Sequence, residues 1–214
     1  MIQIRLYKPG DLKAVREICC ETGDRGESVD QLVSDREMFA DLVMSYYTTY
    51  EPEALWVAEY EGRVVGYLTG CLDSRRYARF MKWRIVPAAV CRAIGRGALY
   101  SRQAWRWLGA WWRTCRLQER QRKISLRDYP AHVHVNILGE FRGRRMGSLL
   151  AERFLEQVRS TGVSGVYAAV RSDNRLSCRF FERMGFSEIS RAPVAYPDGP
   201  AYQRHDTIVY GTRV

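Results

Sequence analysis

The sequence lacks the features that mark secreted, membrane-spanning and disulfide-stapled proteins. No apolar run approaches the roughly 18 residues that span a bilayer, and the segment MIQIRLYKPGDLKAV has no signal-peptide core. No N-x-S/T sequon occurs. The six cysteines form no C-x-x-C pair and stand at positions 19, 20, 71, 91, 115 and 178. We therefore expect a reduced cytoplasmic protein with free thiols.

Acidic residues are almost missing from one stretch of the chain. Residues 74–127 contain fifteen Lys or Arg and a single acid, Glu119, whereas the remainder has more acids than bases. The net charge of +10 therefore comes from one segment. With 214 residues, 46% of them apolar, the chain has the composition of an ordinary globular domain. We expect one domain, residues 1–214, that carries a basic helical insertion at 74–130.

Hydrophobic periodicity predicts strands and helices on both sides of this segment. Before it we expect a strand at 2–6, a helix after Pro9, a polar loop at 21–32, a helix capped by Ser34, and a hairpin turning at Glu61-Gly62. After it we expect strands at 131–138, 165–170, 186–192 and 206–212, with helices at 148–160 and 175–184. This order indicates an α/β (α+β) sheet flanked by helices, with the insertion between strands 3 and 4.

The stretch FRGRRMGS, residues 141–148, places two glycines and three arginines between a strand and a helix. Such a turn directs free backbone N–H groups and the positive end of the helix dipole at one spot, which favours an anion. The stretch is neither a Walker A loop nor a G-x-G-x-x-G fingerprint. A solvated turn with surface arginines is the alternative.

The downstream pattern N-x-x-S-x-x-F-F-E-R-x-G-F, from Asn174 to Phe186, completes a resemblance to the GCN5-related N-acetyltransferase (GNAT) superfamily. The resemblance implies a mixed, mostly antiparallel twisted sheet, acetyl-CoA as co-substrate, and an amine acceptor attacked directly in a ternary complex. A looser resemblance, carried by GYLTGCLD and YPAHVHVNIL, is to the acetyltransferase-like domain of O-GlcNAcase and its stand-alone bacterial relatives. Implied cofactor-binding residues are Ile137, Leu138, Arg142, Gly143, Arg144, Arg145, Met146, Gly147, Ser148, Asn174, Ser177, Phe180 and Phe181.

Two positions depart from the family pattern. Arg145 stands where the family usually has glycine, which is tolerable if its φ stays negative. Phe181 stands where the family usually has a tyrosine that acts as general acid, and a phenyl ring carries no proton to donate. Ser177, Cys178, a water molecule or another tyrosine could protonate the thiolate instead. The thiolate could also leave unaided, or turnover could be poor.

Candidate bases lie on strand 4 and at the end of strand 3. His134 and Asn136 share one face of strand 4 with His132, and a histidine suits a general base at neutral pH. Asp73 is a further catalytic candidate, and His132 and Asp24 are candidates for contacting the substrate. Structural roles, as satisfied core histidines, caps or surface charges, are the alternatives. The H-x-H pair has only the distant His205 as a third histidine, so no metal site is expected.

Within the insertion, Trp105, Leu108, Trp112 and Cys115 recur at helical spacing and predict an amphipathic helix with a Trp-rich face. That face could simply cover the sheet. A lid over the acceptor pocket or a homodimer contact is the favoured functional use. Contact with an anionic membrane through 74–127 is less favoured, and specific nucleic-acid recognition is not expected. The competing hypothesis for the whole protein is a non-catalytic acyl-CoA-binding scaffold whose insertion binds a partner.

Overall fold

A computed structural model describes residues 2–97, 124–198 and 201–214, together with residues 102, 105, 106, 109, 110 and 113. It contains a seven-stranded sheet in the order β1-β2-β3-β4-β5-β7-β6, with only β4 and β5 parallel. The strands are β1 (Ile2–Leu6), β2 (Leu55–Tyr60), β3 (Arg63–Cys71), β4 (Ala131–Ile137), β5 (Gly165–Arg171), β6 (Ser187–Asp198) and β7 (Ala201–Arg213). The helices are α1 (Leu12–Thr22), α2 (Arg36–Thr49), α3 (Ser74–Phe80), α4 (Val86–Gly95), α5 (Met146–Thr161) and α6 (Arg175–Arg183). The predicted mixed sheet is confirmed.

Local chemistry explains where most elements begin and end. The β2–β3 hairpin turns at Glu61 and Gly62, which both have positive φ, as the right-handed twist of a hairpin requires. Helix α5 ends at Gly162, whose φ is +71°. Helix α2 begins one residue later than predicted, because Asp35 rather than Ser34 accepts the Met38 N–H, at 3.0 Å.

Because proline cannot donate a backbone hydrogen bond, Pro87 predicts a break in the helical segment after β3, but the segment continues through it. Helix α3 passes through a π turn, Met81–Ile85, directly into α4, whose first turn contains Pro87. The first turn tolerates a residue that cannot donate a backbone hydrogen bond, and the wide turn before it makes room for the ring. Most of residues 98–123, including Leu108, Trp112 and Cys115, lie outside the described residues. The amphipathic helix predicted there and the insertion as a unit stay predictions.

Two apolar clusters cover the two faces of the sheet. One packs Leu150 and Phe154 of α5 against Leu68 and Val133, and the other packs Val15 of α1 and Met44 of α2 against Tyr67. Leu68 and Tyr67 are neighbours in β3, so the period of two directs them to opposite faces. Among the described residues, no helix is both long and apolar enough to cross a membrane.

Candidate active site

The candidate site is a cavity of about 680 Å³ that opens where β4 and β5 diverge. The two strands pair only at Ala131–Val166 and His132–Tyr167, and beyond these positions they separate. The loop after α1, the turn before α5 and helix α6 complete the walls. Separated strands present unpaired backbone groups, which suits an extended ligand with polar groups along its length.

The backbone N–H and C=O groups of successive β4 residues point alternately towards β3 and towards this cavity. In an antiparallel pair every second residue points both its N–H and its C=O to the neighbouring strand. The Leu138 N–H donates to the Val65 carbonyl at 3.0 Å, so the groups that turn to the cavity belong to Val135 and Ile137. The implied cofactor contact of Leu138 is therefore corrected, since its amide is bonded to β3, and Val135 takes its place beside Ile137.

The turn before α5, which we call the cradle, presents unpaired backbone N–H groups of the kind that favour an anion. Gly143 has a φ of +78°, and the Leu149 N–H donates to the Arg145 carbonyl at 3.0 Å as the helical ladder begins. The N–H groups of residues 146–148 precede that ladder and lie at the positive end of a 16-residue helix. The Phe180 ring leaves little space beside Gly147, because an added Cβ there would lie 3.3 Å from the ring. A glycine therefore allows close approach to the backbone there.

Arg145 adopts the left-handed conformation, with a φ of +61°, so the condition under which an arginine easily replaces the family's glycine, a negative φ, is not met. The residue immediately precedes α5, and its carbonyl accepts the first helical bond, so the turn imposes this conformation. An L-residue in this region costs on the order of 1 kcal/mol. The Arg145 side chain lines the cavity beside the cradle.

The other two arginines of the turn are used within the protein. Arg142 donates from Nε to the Ile137 carbonyl at 3.1 Å and from Nη2 to the Gly26 carbonyl at 2.5 Å. The Arg144 guanidinium lies 5.4 Å from the ring centroids of Tyr60 and Phe141. Arg142 therefore fastens the loop after α1 to the end of β4, and Arg144 does not line the cavity. Arg142 also lines the cavity, so its contact with the cofactor stays a prediction, whereas the predicted contact of Arg144 is corrected.

Helix α6 forms the opposite wall. Asn174 caps the helix by accepting the Ser177 N–H at 3.1 Å, and Asn174, Ser177, Phe180 and Phe181 all line the cavity. The Phe181 ring is also buried in the core, with its centroid 5.3 Å from that of Phe186. Because phenylalanine carries no dissociable proton, Ser177 is the lining residue of α6 that retains a hydroxyl.

His132 and His134 have different environments although they lie on the same face of β4. His132 is 4% exposed, and its two ring nitrogens lie 2.8 Å from the Tyr47 and Ser74 hydroxyl oxygens. Burial, and then the nearby His134, lower the pKa of His132 to about 3. It does not line the cavity, so its predicted contact with substrate is corrected.

His134 faces the cavity. Its ring is accessible from this opening, while surrounding protein displaces water and lowers the pKa of the imidazole. A lowered pKa keeps the ring neutral near pH 7, and a neutral imidazole has a nitrogen lone pair that can accept a proton.

The remaining candidates have structural partners. Asp73 caps α3 by accepting the N–H groups of Arg75 and Arg76, at 2.9 and 3.1 Å, and is not part of the cavity wall. Its proposed role as a base is therefore corrected. Asn136 lines the cavity, but its amide nitrogen donates to the Thr22 hydroxyl at 2.5 Å. The Asn136 amide thus joins β4 to the end of α1.

Asp24 lines the cavity within an ionic cluster that the sequence analysis did not identify. It is 7% exposed and lies 3.5 Å from Arg171 and 3.3 Å from Arg25, while Arg171 also pairs with Asp173. These cations balance the Asp24 charge, which weakens the case for Asp24 as the holder of a cationic substrate. The opposite charges of Arg171 and Asp173 at the end of a predicted strand were the feature of the sequence that could have indicated this cluster. In the described part of the chain, no His, Cys, Asp and Glu side chains are grouped to hold a metal ion.

Comparison with known proteins agrees with this geometry. The model of the acetyltransferase (GNAT) family matches residues 114–186, which include β4, the cradle, α5, β5 and α6. The crystal structure of SsHAT is similar over 99% of this chain and 98% of its own, with 26% identity and a TM-score of 0.72. An N-acetyltransferase from Staphylococcus aureus Mu50 shares the fold at 13% identity over 100% and 98% of the two chains, with a TM-score of 0.59.

A further similar structure, yncA from Salmonella typhimurium, contains its cofactor acetyl-CoA. It covers 99% of this chain and 93% of its own, with 15% identity and a TM-score of 0.60. The looser resemblance to the O-GlcNAcase-associated domain stays a prediction. Residues 114–186 therefore match the acetyltransferase (GNAT) family, and the whole chain shares its fold with these structures.

Proposed function

We propose that the protein transfers an acetyl group from acetyl-CoA to an amine by direct attack, with both substrates bound in the cavity between β4 and β5. The observation that carries this proposal is the placement of an anion cradle and a neutral imidazole in one cavity. Acetyl-CoA supplies a thioester-activated acetyl group and two linked phosphates. The backbone of residues 146–148 and the Arg145 side chain would hold the pyrophosphate.

The backbone of β4 supports the reacting carbonyl. The N–H groups of Val135 and Ile137 turn to the cavity where β5 is no longer paired, and such donors stabilise negative charge that develops on a carbonyl oxygen. Asn174 and Ser177 would contact the pantetheine arm from the other wall. The Ser177 hydroxyl is our candidate to protonate the departing thiolate, in the place of the missing tyrosine.

His134 is the proposed general base. An amine with a pKa of about 10.4 is protonated at neutral pH and cannot attack until it loses a proton. His134 accepts that proton, directly or through one water molecule, because its lowered pKa keeps it neutral. Asn136 keeps β4 joined to α1 beside it, so we assign Asn136 a positioning role.

Calorimetric titration of acetyl-CoA tests the cradle. We expect wild type to bind with micromolar affinity and Gly147→Asp to bind at least about tenfold more weakly, because a carboxylate would occupy the anion site. Gly10→Asp adds the same charge at an exposed position with nothing within 4 Å of the new Cβ, and should bind like wild type. Absence of binding by wild type would refute the proposal.

Thiol release over a panel of amines tests the base. With the best acceptor found, His134→Gln should lower kcat/KM by about 10²- to 10⁴-fold at pH 7, with acetyl-CoA affinity unchanged. The deficit should shrink as the pH approaches the amine's own pKa, because the acceptor then deprotonates without help. His205→Gln replaces a histidine outside the cavity wall and serves as the matched control. A deficit independent of pH would remove His134 from the role of base.

A non-catalytic acyl-CoA-binding function is the second candidate, and Phe181 favours it. The ring occupies the position of the family's general acid and is built into the core, so the site has lost that proton donor. This candidate predicts acetyl-CoA binding that Gly147→Asp weakens, but no thiol release above the enzyme-free rate with any amine. The two assays together therefore distinguish the two functions.

A further inference from the structure

The helical segment after β3 presents apolar side chains to solvent. We define the apolar stripe as Trp83, Val86, Val90 and Ile94, which recur at steps of three and four residues and so share one side of the helix. Trp83 is 72% and Ile94 56% exposed, and the two valines are each 39% exposed. An apolar row on the outside of a helix is energetically unfavourable in water unless something covers it.

The opposite side of the same segment is firmly attached to the fold. Ile85, Ala89 and Ala93 are buried, and α4 packs on α2. Two ion pairs add to this attachment, Arg92–Asp41 at 2.8 Å and Arg96–Asp35 at 2.7 Å. The segment therefore cannot turn its apolar stripe inwards without losing this packing, and the sheet does not cover the stripe.

Positive charge borders the apolar stripe. Arg79, Lys82 and Arg84 are exposed next to it, and residues 74–97 contain seven Lys or Arg and no acid. The Lys82 ammonium lies 4.8 Å from the Trp83 ring centroid, which is within cation–π distance, so a positive charge adjoins the stripe. Trp105, further along the basic segment, is 66% exposed as well.

We infer that the apolar stripe and its bordering cations bind the surface of an anionic lipid bilayer. An interfacial helix needs an apolar side that enters the acyl boundary, cations that meet anionic headgroups, and a tryptophan at the level between them. The segment supplies all three, and it carries no acid that an anionic surface would repel. Nucleic acid would use the cations and could stack on Trp83, but it offers nothing for the aliphatic Val86, Val90 and Ile94.

Vesicle flotation with the full-length chain tests this inference. We expect wild type to float with phosphatidylcholine vesicles that contain phosphatidylserine, and not with vesicles of phosphatidylcholine alone. Trp83→Ser/Ile94→Ser should lower the partition coefficient at least about tenfold, because two apolar side chains no longer enter the lipid. The matched control Leu6→Ser/Leu12→Ser changes two residues, each 42% exposed, outside the basic segment and should leave it unchanged.

Charge reversal provides the second variant. Lys82→Glu/Arg84→Glu should lower the partition coefficient on the order of ten- to a hundredfold. Added salt should lower the partition coefficient of wild type, because it screens the attraction between the cations and the anionic headgroups. Lys13→Glu/Arg153→Glu makes the same change of charge at exposed positions of α1 and α5 and should have little effect. Thermal unfolding of each variant verifies that the fold is retained.

Three outcomes would overturn the inference. The first is failure of wild type to float with anionic vesicles. The second is flotation that survives Trp83→Ser/Ile94→Ser, which would assign binding to charge elsewhere. The third is a wild-type dimer in analytical ultracentrifugation that this variant converts to a monomer, which would make the apolar stripe a contact between two copies. Binding of duplex DNA by wild type, without binding to vesicles, belongs with the first outcome.

Discussion

The stability of this fold should depend on pH through His132, because the imidazole is buried in its neutral form. Its pKa is about 3 in the folded protein, lowered mainly by burial, whereas a histidine in an unfolded chain titrates near 6.5. Between these values the unfolded chain binds a proton that the folded chain excludes. Stability is therefore complete above about pH 6.5 and is lost progressively as the pH falls towards 3.

The magnitude follows from the two pKa values. Each unit of difference corresponds to about 1.4 kcal/mol, so lowering the pH from about 7 to 5 should lower the free energy of unfolding by about 2 kcal/mol. That is a substantial fraction of the roughly 5–15 kcal/mol typical of a domain. No reduction for solvent screening applies, because the side chain is enclosed by Tyr47, Ser74 and the sheet.

Urea unfolding at pH 7 and pH 5 measures this loss. His132→Gln retains an amide that can hydrogen bond to Tyr47 or Ser74 but cannot titrate, so the difference between the two pH values should shrink by about 2 kcal/mol. Val133→Ala is the matched control on the same strand, because it removes buried apolar packing and should destabilise equally at both pH values. A His132→Gln variant with the wild-type pH dependence would refute the reasoning.

Three further predictions concern the walls of the cavity. In urea unfolding, Arg145→Gly should leave the free energy of unfolding within about 1 kcal/mol of wild type, since relief of left-handed strain offsets the added chain entropy. Arg145→Val should lower that free energy by about 1–2 kcal/mol, because a β-branched residue is strained at positive φ. Equal stability of the two variants would contradict this prediction. Arg142→Gln should speed hydrogen exchange in residues 24–27 by freeing the Gly26 carbonyl; unchanged exchange would show that the loop is held otherwise. Phe181→Ala should lower the free energy of unfolding by about 3–5 kcal/mol and Phe181→Leu by less than about 1.5, and a small loss for Ala would remove Phe181 from the core.

The sequence predicted the strands, helices and turns around the site because each of them depends on residues that are close together in the chain. Apolar residues at a period of two in 131–138 indicate a strand, helical spacing follows from residue 148, and glycines mark the turn between them. Local chemistry of this kind acts within a few residues. The position of the turn before α5 and the hairpin at Glu61-Gly62 are therefore correct from sequence, whereas the Ser34 cap and the break at Pro87 failed by small differences in local geometry.

Tertiary structure decided what the individual side chains do. His132 and His134 have the same place in the pattern of β4, yet Tyr47 from α2 and Ser74 from α3 enclose the first, while the divergence of β5 leaves the second open to the cavity. Arg142 likewise finds its partner, Gly26, more than a hundred residues away. Periodicity assigns a residue to a face of its own element, but burial, pairing and pKa depend on the elements that pack against that face. The sequence therefore determined the order of the elements and the turns between them, and long-range packing determined where the cavity opens and which residues line it.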